Sequence, residues 1–513
     1  LDTGQSCATE SSAKIMQEVI GQMEMDDFLA SLKASNAPSS LICDGSSDSA
    51  DLHIFGCLFQ YFENDVVTVR FWRAIEIDDQ SAEGHVNEVV KWMEIDGILP
   101  YVKDHLASVA ADGASNMMSS GNAAGDGGGF CRLLGERLEK PLFCQHCLAH
   151  RLQLILKNVN KHIPKKGILP KCPNCLVMER INNKLANFYQ NSSVRKRSLH
   201  KFCKDNKFDQ FTPKKTMAVR WVQTHMDSNE IIFVHYKALV LHIIQNKNNR
   251  RMGDSKVRRF MQQMEDYLKH KNFLVTLAVV LDIQSVYTGS SKAFQLKGSS
   301  IIGQAEHRKR LLLDKDKFSN GEMMYLKHLL EEATCDGVPC KTLEKFMNPF
   351  SQVVWNTILL HDLPTLTVAT EELVMLQYPT TYLEDFIDGI NDQLNAYMPA
   401  DGVTATMNSL DQSAWPESIG TFQLPVAVKD WPKQFHLSEY AEEEFLSDMN
   451  NLIQCLEDEK NFWTDTRKSK PSEFYSALLR SRCRPSSPRL LKLLQMTLVT
   501  PFGSADAERL FSR

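Results

Sequence analysis

Two short apolar runs end in the same dipeptide. Leu41-Ile42-Cys43 leads into Asp44-Gly45, and Ala107-Ser108-Val109-Ala110-Ala111 leads into Asp112-Gly113. A third carboxylate, Glu508, follows Pro501-Phe502-Gly503-Ser504 near the carboxyl end. An Asp, Asp and Glu set drawn from distant points suits two-metal phosphodiester chemistry, in which one ion activates a water or 3′-hydroxyl and the other stabilises the leaving oxygen. Carboxylate oxygens favour Mg²⁺ or Mn²⁺ over zinc. Taken singly, an Asp-Gly pair reads more readily as a turn. Asp48 competes with Asp44 but lies past the strand end. Asp506 competes with Glu508; two positions apart on a helix they point about 200° apart, so only one can face a given site.

A second cluster is Cys144, His146, Cys147 and His150, a Cys-x-x-Cys-x-x-His run of soft ligands. A helix starting near Cys147 puts Cys147 and His150 on one face. No second half with finger spacing follows, and Cys172 and Cys175 are the nearby partners, so buried thiols with a locally hydrogen-bonded histidine outweigh a structural Zn²⁺. Trp221 reads first as a core residue, although Arg220, Lys214 and Lys215 beside it favour nucleic acid.

The elements that would position these groups follow from turn residues and periodicity. Residues 1 to 38 are polar with a short helix between Ser12 and Leu32. Leu41 to Asp44 is a strand, and Leu52 to Phe62 and Val66 to Ile77 are two more, joined by an Asn64-Asp65 hairpin turn. Ser81 to Ile98 has Val86, Val89, Val90 and Met93 on one helical face. Ala107 to Ala111 is a fourth strand, Gly121 to Gly129 a loop, Leu142 to Cys144 a fifth strand, and Leu148 to Val159 an amphipathic helix. This order is the RNase H-like one, with the first and fourth strands side by side and parallel, so that Asp44 and Asp112 face the crevice at their carboxyl ends. Two carboxylates there repel unless a cation lies between them.

From about 230 to 480, helical patterns dominate, including Val257 to Leu268, Gly321 to Ala333, Leu383 to Tyr397 and Glu439 to Leu456. The expected fold is therefore an α/β RNase H-like core with a mixed five-stranded sheet, interrupted by a large, mostly α-helical insertion. Its divisions are a polar segment at 1–38, the first part of the core at 39–230, the insertion at 231–480 and a closing segment at 481–513. In the last of these, Arg489 to Thr497 is apolar at helical spacing, and Ser504 caps a new helix carrying Glu508.

With 513 residues, 43% hydrophobic and 24% charged, the chain has material for a large core and two or three domains. No stretch reaches the roughly 18 apolar residues of a membrane span, and no secretory signal opens the chain, so a membrane is not an expected partner. Thirteen scattered cysteines fit reduced thiols in the cytosol or nucleus. The chain opens on Leu1 and stops at Arg513, which reads as a piece of a longer product. Its net charge of −5 conceals an asymmetry: residues 157 to 317 hold 32 Lys and Arg against 12 Asp and Glu, a net +20 inside an otherwise acidic protein. That stretch is a candidate polyanion-binding surface.

Five landmarks occur in an order that resembles hAT superfamily transposases from about residue 40 to the end. They are Ile42 to Asp48, Ala111 to Met117, Cys147 to Leu152, Arg220-Trp221, and Pro501 to Ser512. The closest flavour is the group of animal host proteins in which zinc fingers precede a hAT body. The resemblance implies that Asp44 and Asp112 are the first and second catalytic aspartates and favours Glu508 over Asp506 as the third acid. It implies that Cys147 and His150 act near the displaced DNA strand, that Trp221 stacks on a flipped base, and that the terminal apolar segment dimerises. The expected function is DNA binding, self-association and Mg²⁺- or Mn²⁺-dependent cleavage and strand transfer in the nucleus. The alternative is a domesticated, catalytically inactive DNA-binding and dimerising regulator.

Overall fold

The computed structural model describes residues 10–47, 52–113, 117, 129–159, 173–216, 221–268, 271–296, 300–314, 316–317, 322–325, 327, 334–335, 338–339, 379–400 and 402–508. The chain divides into two compact units. A sheet unit comprises Leu1–Arg151, Lys292–Lys309 and Met398–Arg513, and a helical unit comprises Leu152–Ser291 and Arg310–Tyr397.

The sheet unit begins with helix α1 (Glu10–Ala34) and strands β1 (Ser39–Ser47), β2 (His53–Glu63) and β3 (Val66–Glu76), followed by α2 (Ala82–Ile95), α3 (Leu99–His105), β4 (Leu106–Ala111), α4 (Gly129–Arg137), β5 (Phe143–His146) and the first turn of α5 (Leu148–Val159), whose remainder from Leu152 belongs to the helical unit. The fold class is α/β. Five strands form one mixed sheet in the order β3-β2-β1-β4-β5. β1 and β2, and β2 and β3, pair antiparallel; β1 pairs parallel with β4, and β4 parallel with β5. Asn64 (φ 52°) and Asp65 (φ 60°) both adopt the left-handed conformation that closes a two-residue hairpin between right-twisted strands. Ser81 caps α2 by accepting from the Gly84 N–H at 3.0 Å.

Alternation along β1 assigns its two faces. Leu41 and Cys43 lie with Phe55, Cys57, Phe59, Trp72, Val109 and Ala111 in a core that also takes in Phe28 and Leu32 of α1, Val86, Val89 and Met93 of α2, and Phe130 and Leu134 of α4. Ile42 points the other way and packs with Leu58, Val69 and Ala507. Elsewhere Phe62, Ala107 and Phe143 join a large cluster built from the helices Gly402–Ser409, Glu442–Asp458, Pro471–Leu479 and Pro488–Val499. Each large side chain so buried contributes about 1.5–3 kcal/mol. Polar contacts fix the Pro488–Val499 helix: Gln60 Nε2 donates to the Leu498 carbonyl at 3.3 Å, Thr500 Oγ1 donates to Ser108 Oγ at 3.1 Å, and Ile301 N–H donates to the Thr500 carbonyl at 2.9 Å.

This places helical sequence differently from the segment 231–480 read as an insertion. The helices between 402 and 499 belong with the sheet, whereas those between 173 and 230 belong to the helical unit. Helical spacing marks an apolar stripe but does not say which partner covers it. Within the segment 1–38 read as polar with a short helix, α1 buries Phe28 and Leu32 against the sheet. The Gly121–Gly128 part of the loop and most of the Gly321–Ala333 stretch lie outside the described residues.

In the helical unit, α6 (Pro173–Gln190), α7 (Ser193–Asp205), α8 (Trp221–Val234), α9 (Tyr236–Asn246), α10 (Ser255–Leu268) and α11 (Lys271–Phe294, which ends in the sheet unit) supply the core. Buried amides bridge three of them: Asn182 Nδ2 donates to Asn229 Oδ1 at 2.6 Å, and Asn229 Nδ2 donates to Gln284 Oε1 at 3.0 Å. His242 is fully buried between Tyr189 OH (3.0 Å to Nδ1) and Ser198 Oγ (3.1 Å to Nε2), and burial drives its pKa down to about 4.

A histidine kept neutral in the fold but protonated when unfolded stabilises above pH 6.5, and that contribution fades as the pH falls towards 4. His242 should therefore make the helical unit about 2 kcal/mol less stable at pH 5 than at pH 7.5. Urea unfolding at the two pH values checks this, and a His242→Gln variant should show a correspondingly smaller difference; an equal pH dependence would contradict the assignment.

Candidate active site

β1 and β4 run in register through Ser40–Ser108, Leu41–Val109 and Ile42–Ala110. Carried two residues further, that register sets Asp44 level with Asp112 on neighbouring strands spaced about 4.8 Å apart. Asp44 lies within β1, and Asp112 is the first residue after β4. Both are half-buried. Asp112 also lines a cavity of about 210 Å³ with Gly45, Ser46, His53, Phe55 and His85 at this end of the sheet; Asp44 is not part of that lining.

The glycine after Asp112 has a steric role beyond a turn. A Cβ on Gly113 would lie 2.0 Å from His146 Nε2, so only glycine lets the ring of His146, the last residue of β5, rest against the backbone there. That Nε2 is buried without a hydrogen-bond partner among the described residues. Burial, with Arg151 and His150 adding to it, pushes the His146 pKa down to about 2, so the imidazole is neutral. His150 stands next to it with ring centroids 5.7 Å apart.

The turn from β5 into α5 receives the carboxyl-terminal segment. Cys147 N–H donates to the Ala111 carbonyl at 2.9 Å, and Leu148 N–H donates to the Phe502 carbonyl at 2.9 Å. A Cβ on Gly503 would come within 2.4 Å of Cys147 Cα and 2.5 Å of its Sγ. The Cys147 thiol contacts Ser504; burial raises its pKa, hydrogen bonds to His150 and Ser504 oppose the rise, and the nearby Asp44 charge adds to it. Phe502 packs on Phe294 and His307, with centroids 4.9 and 5.8 Å away. From this anchor the short helix Ala505–Glu508 lies against β1 and β2, where Ala507 is fully buried on Ile42, Leu58 and Val69. The backbone carrying Glu508 is thus brought to β1, the strand that carries Asp44, and to its neighbour β2. Asp506 is partly exposed on the same helix. The Glu508 side chain, Asp48 and Arg509–Ser512 lie outside what the structure describes.

No protein-family model matches the chain, and no curated protein matches it. The assignment of chemistry therefore rests on geometry and on the sequence motifs.

The cysteine and histidine cluster does not gather as a metal cage. Cys144 is hydrogen-bonded with Cys131 of α4, while Cys147 turns to Ser504. Among the described residues no group of three or more His, Cys, Asp or Glu side chains is arranged to hold a metal ion. Lys214 and Lys215 are exposed, with Lys214 Nζ 3.9 Å from Asp227. Trp221 opens α8; Arg220 and the side chain of Trp221 lie outside the described residues. His146 and the two close glycines, Gly113 and Gly503, are the site features that sequence reading did not single out for their present roles. The doublet Asp-Gly was visible, but its second residue was read only as turn chemistry.

Gly503→Ala should unseat the terminal segment at a cost of about 1–3 kcal/mol, the usual range for overpacking against backbone. Thermal unfolding of the sheet unit and faster proteolysis near residue 500 read this out, with Ser504→Gly as the milder comparison. Wild-type stability in Gly503→Ala would show that the contact with Cys147 is not tight.

Proposed function

We propose that this protein is the catalytic body of a hAT-type DNA transposase, or of a nuclear host protein descended from one. In this reading Asp44, Asp112 and Glu508 form a divalent-metal triad on an RNase H-like core, and the helical unit forms the insertion. The observation that supports it is the parallel pairing of β1 with β4, which runs to Ile42–Ala110, two residues before Asp44 and Asp112, together with the seating of the Glu508-bearing helix on β1 through Ala507. Two carboxylates, one within β1 and one just after β4, are hard oxygen donors, which fits Mg²⁺ or Mn²⁺ and not the sulfur and imidazole preference of zinc. When bound, such ions supply Lewis acidity to the attacking and leaving oxygens of a phosphodiester.

The chain's own residues do the positioning. β1, which carries Asp44 and pairs it with Gly56 of β2, and β4, which ends one residue before Asp112, are central strands with neighbours on both sides. The contact of Gly503 and Ser504 with Cys147 fixes where the helix of Glu508 starts. Neutral His146 beside Gly113 packs next to Asp112 without adding a positive charge to the site. Half-buried His150 would then stand where a displaced DNA strand passes, while Cys147, buried beneath Gly503 and Ser504, would support it from below, and Trp221 with Arg220, Lys214 and Lys215 would meet unstacked bases. Self-association through the terminal segment completes the proposal; no membrane enters it, and no helix among the described residues is long and apolar enough to cross one.

The test is nicking and strand transfer on DNA with Mg²⁺ or Mn²⁺. Asp112→Ala, Asp44→Asn and Glu508→Gln should each lower the metal-dependent rate by about 10³-fold or more, equivalent to at least ~4 kcal/mol of transition-state stabilisation. DNA binding without any cutting by the wild type would favour the inactive host-protein alternative, and cutting that survives in Asp112→Ala would remove the triad.

A further inference from the structure

The helical unit carries a patch of cations that the strand-end site does not use. Residues 193–204 hold five Lys and Arg with no acid, and residues 250–259 hold five more with only Asp254. The structure joins these two stretches. Arg195 of α7 lies over the Phe188 ring at 4.4 Å and donates through Nε to the Met252 carbonyl at 3.4 Å, which ties α7 to the 3₁₀ turn Arg250–Met252. Phe188 stacks on Phe260 of α10 at 4.8 Å, drawing the start of α10 alongside. Asp254, the one carboxylate present, accepts the Lys256 and Val257 N–H groups at 2.9 and 3.0 Å.

Around this joint Lys196, Arg197, Arg250, Arg251, Lys256 and Arg259 are all exposed, and of these Lys256 is the one whose charge acts on Asp254. Lys214, which sequence reading favoured, instead faces Asp227. The amino ends of α7 and α10, helices of 13 and 14 residues, open into the same joint and add partial positive charge. A solvated surface with no function would mix both signs, as most of this chain does; here cations on three elements are held together by one arginine bridge and one ring stack.

We propose that the joint of α7, the Arg250–Met252 turn and α10 is a docking surface for the phosphate backbone of duplex DNA. It rests on the proposed function only in taking DNA as the polyanion. Contacts of this kind position a duplex without reading its sequence, so affinity is set by charge and salt.

The experiment uses the full chain and a fluorescent 30-base-pair duplex in EDTA, so that binding is read without cutting. Wild-type affinity should fall steeply with salt and be the same for unrelated sequences. The variant Lys196→Gln/Arg197→Gln/Arg250→Gln/Arg251→Gln should bind at least ~30-fold more weakly at 100 mM salt. Its log–log salt slope should be shallower by about 3 to 4, near 0.9 for each lost phosphate contact. Circular dichroism checks that it folds, and Lys91→Gln/Lys470→Gln in the sheet unit should bind as wild type. Unchanged affinity in the quadruple variant, or competition by charge-matched polyglutamate as strong as by duplex, overturns the proposal. DNA cutting by a quadruple variant that still binds normally would end this proposal alone, whereas patch-dependent binding by a wild type that never cuts would end only the catalytic reading.

Discussion

The structure depends on one close approach, that of Gly503 to Cys147. The segment from Thr500 to Ser504 can cross the turn between β5 and α5 only because position 503 has no side chain to strike the Cys147 backbone. The Phe502 carbonyl then takes the Leu148 N–H, the Ser504 hydroxyl meets the Cys147 thiol, and Ala507 fills a small hollow over Ile42, Leu58 and Val69. Without that seat, the third acidic position would have no fixed relation to the first two. Each contact is modest, and together they convert a chain terminus into part of the sheet's end.

The sheet provides the other half of the geometry. Parallel pairing of β1 and β4 sends both strands out at one end, and loops leaving that end can gather groups that are remote in sequence. Two helical layers make the strands stiff. One carries α1, α2 and α4, and the other is drawn largely from residues 402–499, so the central strands β1 and β4 are covered on both faces and read as short apolar runs rather than alternating ones. Several polar groups that this burial strands are matched locally: Ser40 with Ser108, Ser108 with Thr500, and the Gln60 amide NH₂ with the Leu498 carbonyl. These same bonds pin the last long helix before the terminal segment turns towards Cys147.

Much of this arrangement was legible in the sequence wherever a local rule acts alone. Asn64-Asp65 announced a tight hairpin because both residues tolerate positive φ, and Leu148 to Val159 showed its helix by spacing. Pro501-Phe502-Gly503-Ser504 announced a break and a cap, and a short helix does begin at Ala505. What stayed hidden depends on distant partners. Helical periodicity could not say that 402–499 belong to the sheet unit while 173–205 belong to the helical unit. Gly113 and Gly503 looked like ordinary turn glycines, because the atoms that forbid a Cβ, in His146 and Cys147, come from elsewhere in the chain. Charge counting found the basic region but not its organisation, since Lys214 has an acid nearby and Arg195 spends its guanidinium on Phe188 and Met252.

The central proposal is that residues near 44, 112 and 508 together hold divalent ions. Replacing Mg²⁺ with Fe²⁺ and adding hydrogen peroxide with ascorbate generates hydroxyl radicals at the bound ion, as Fe²⁺ reduces the peroxide to hydroxide and hydroxyl radical and ascorbate returns Fe³⁺ to Fe²⁺; the radicals cut the backbone nearby. Mass spectrometry of the fragments should find cuts clustered at residues 44–46, 112–113 and 505–508, all suppressed by excess Mg²⁺. Cuts confined to two of these three places, or spread without regard to them, would contradict the account.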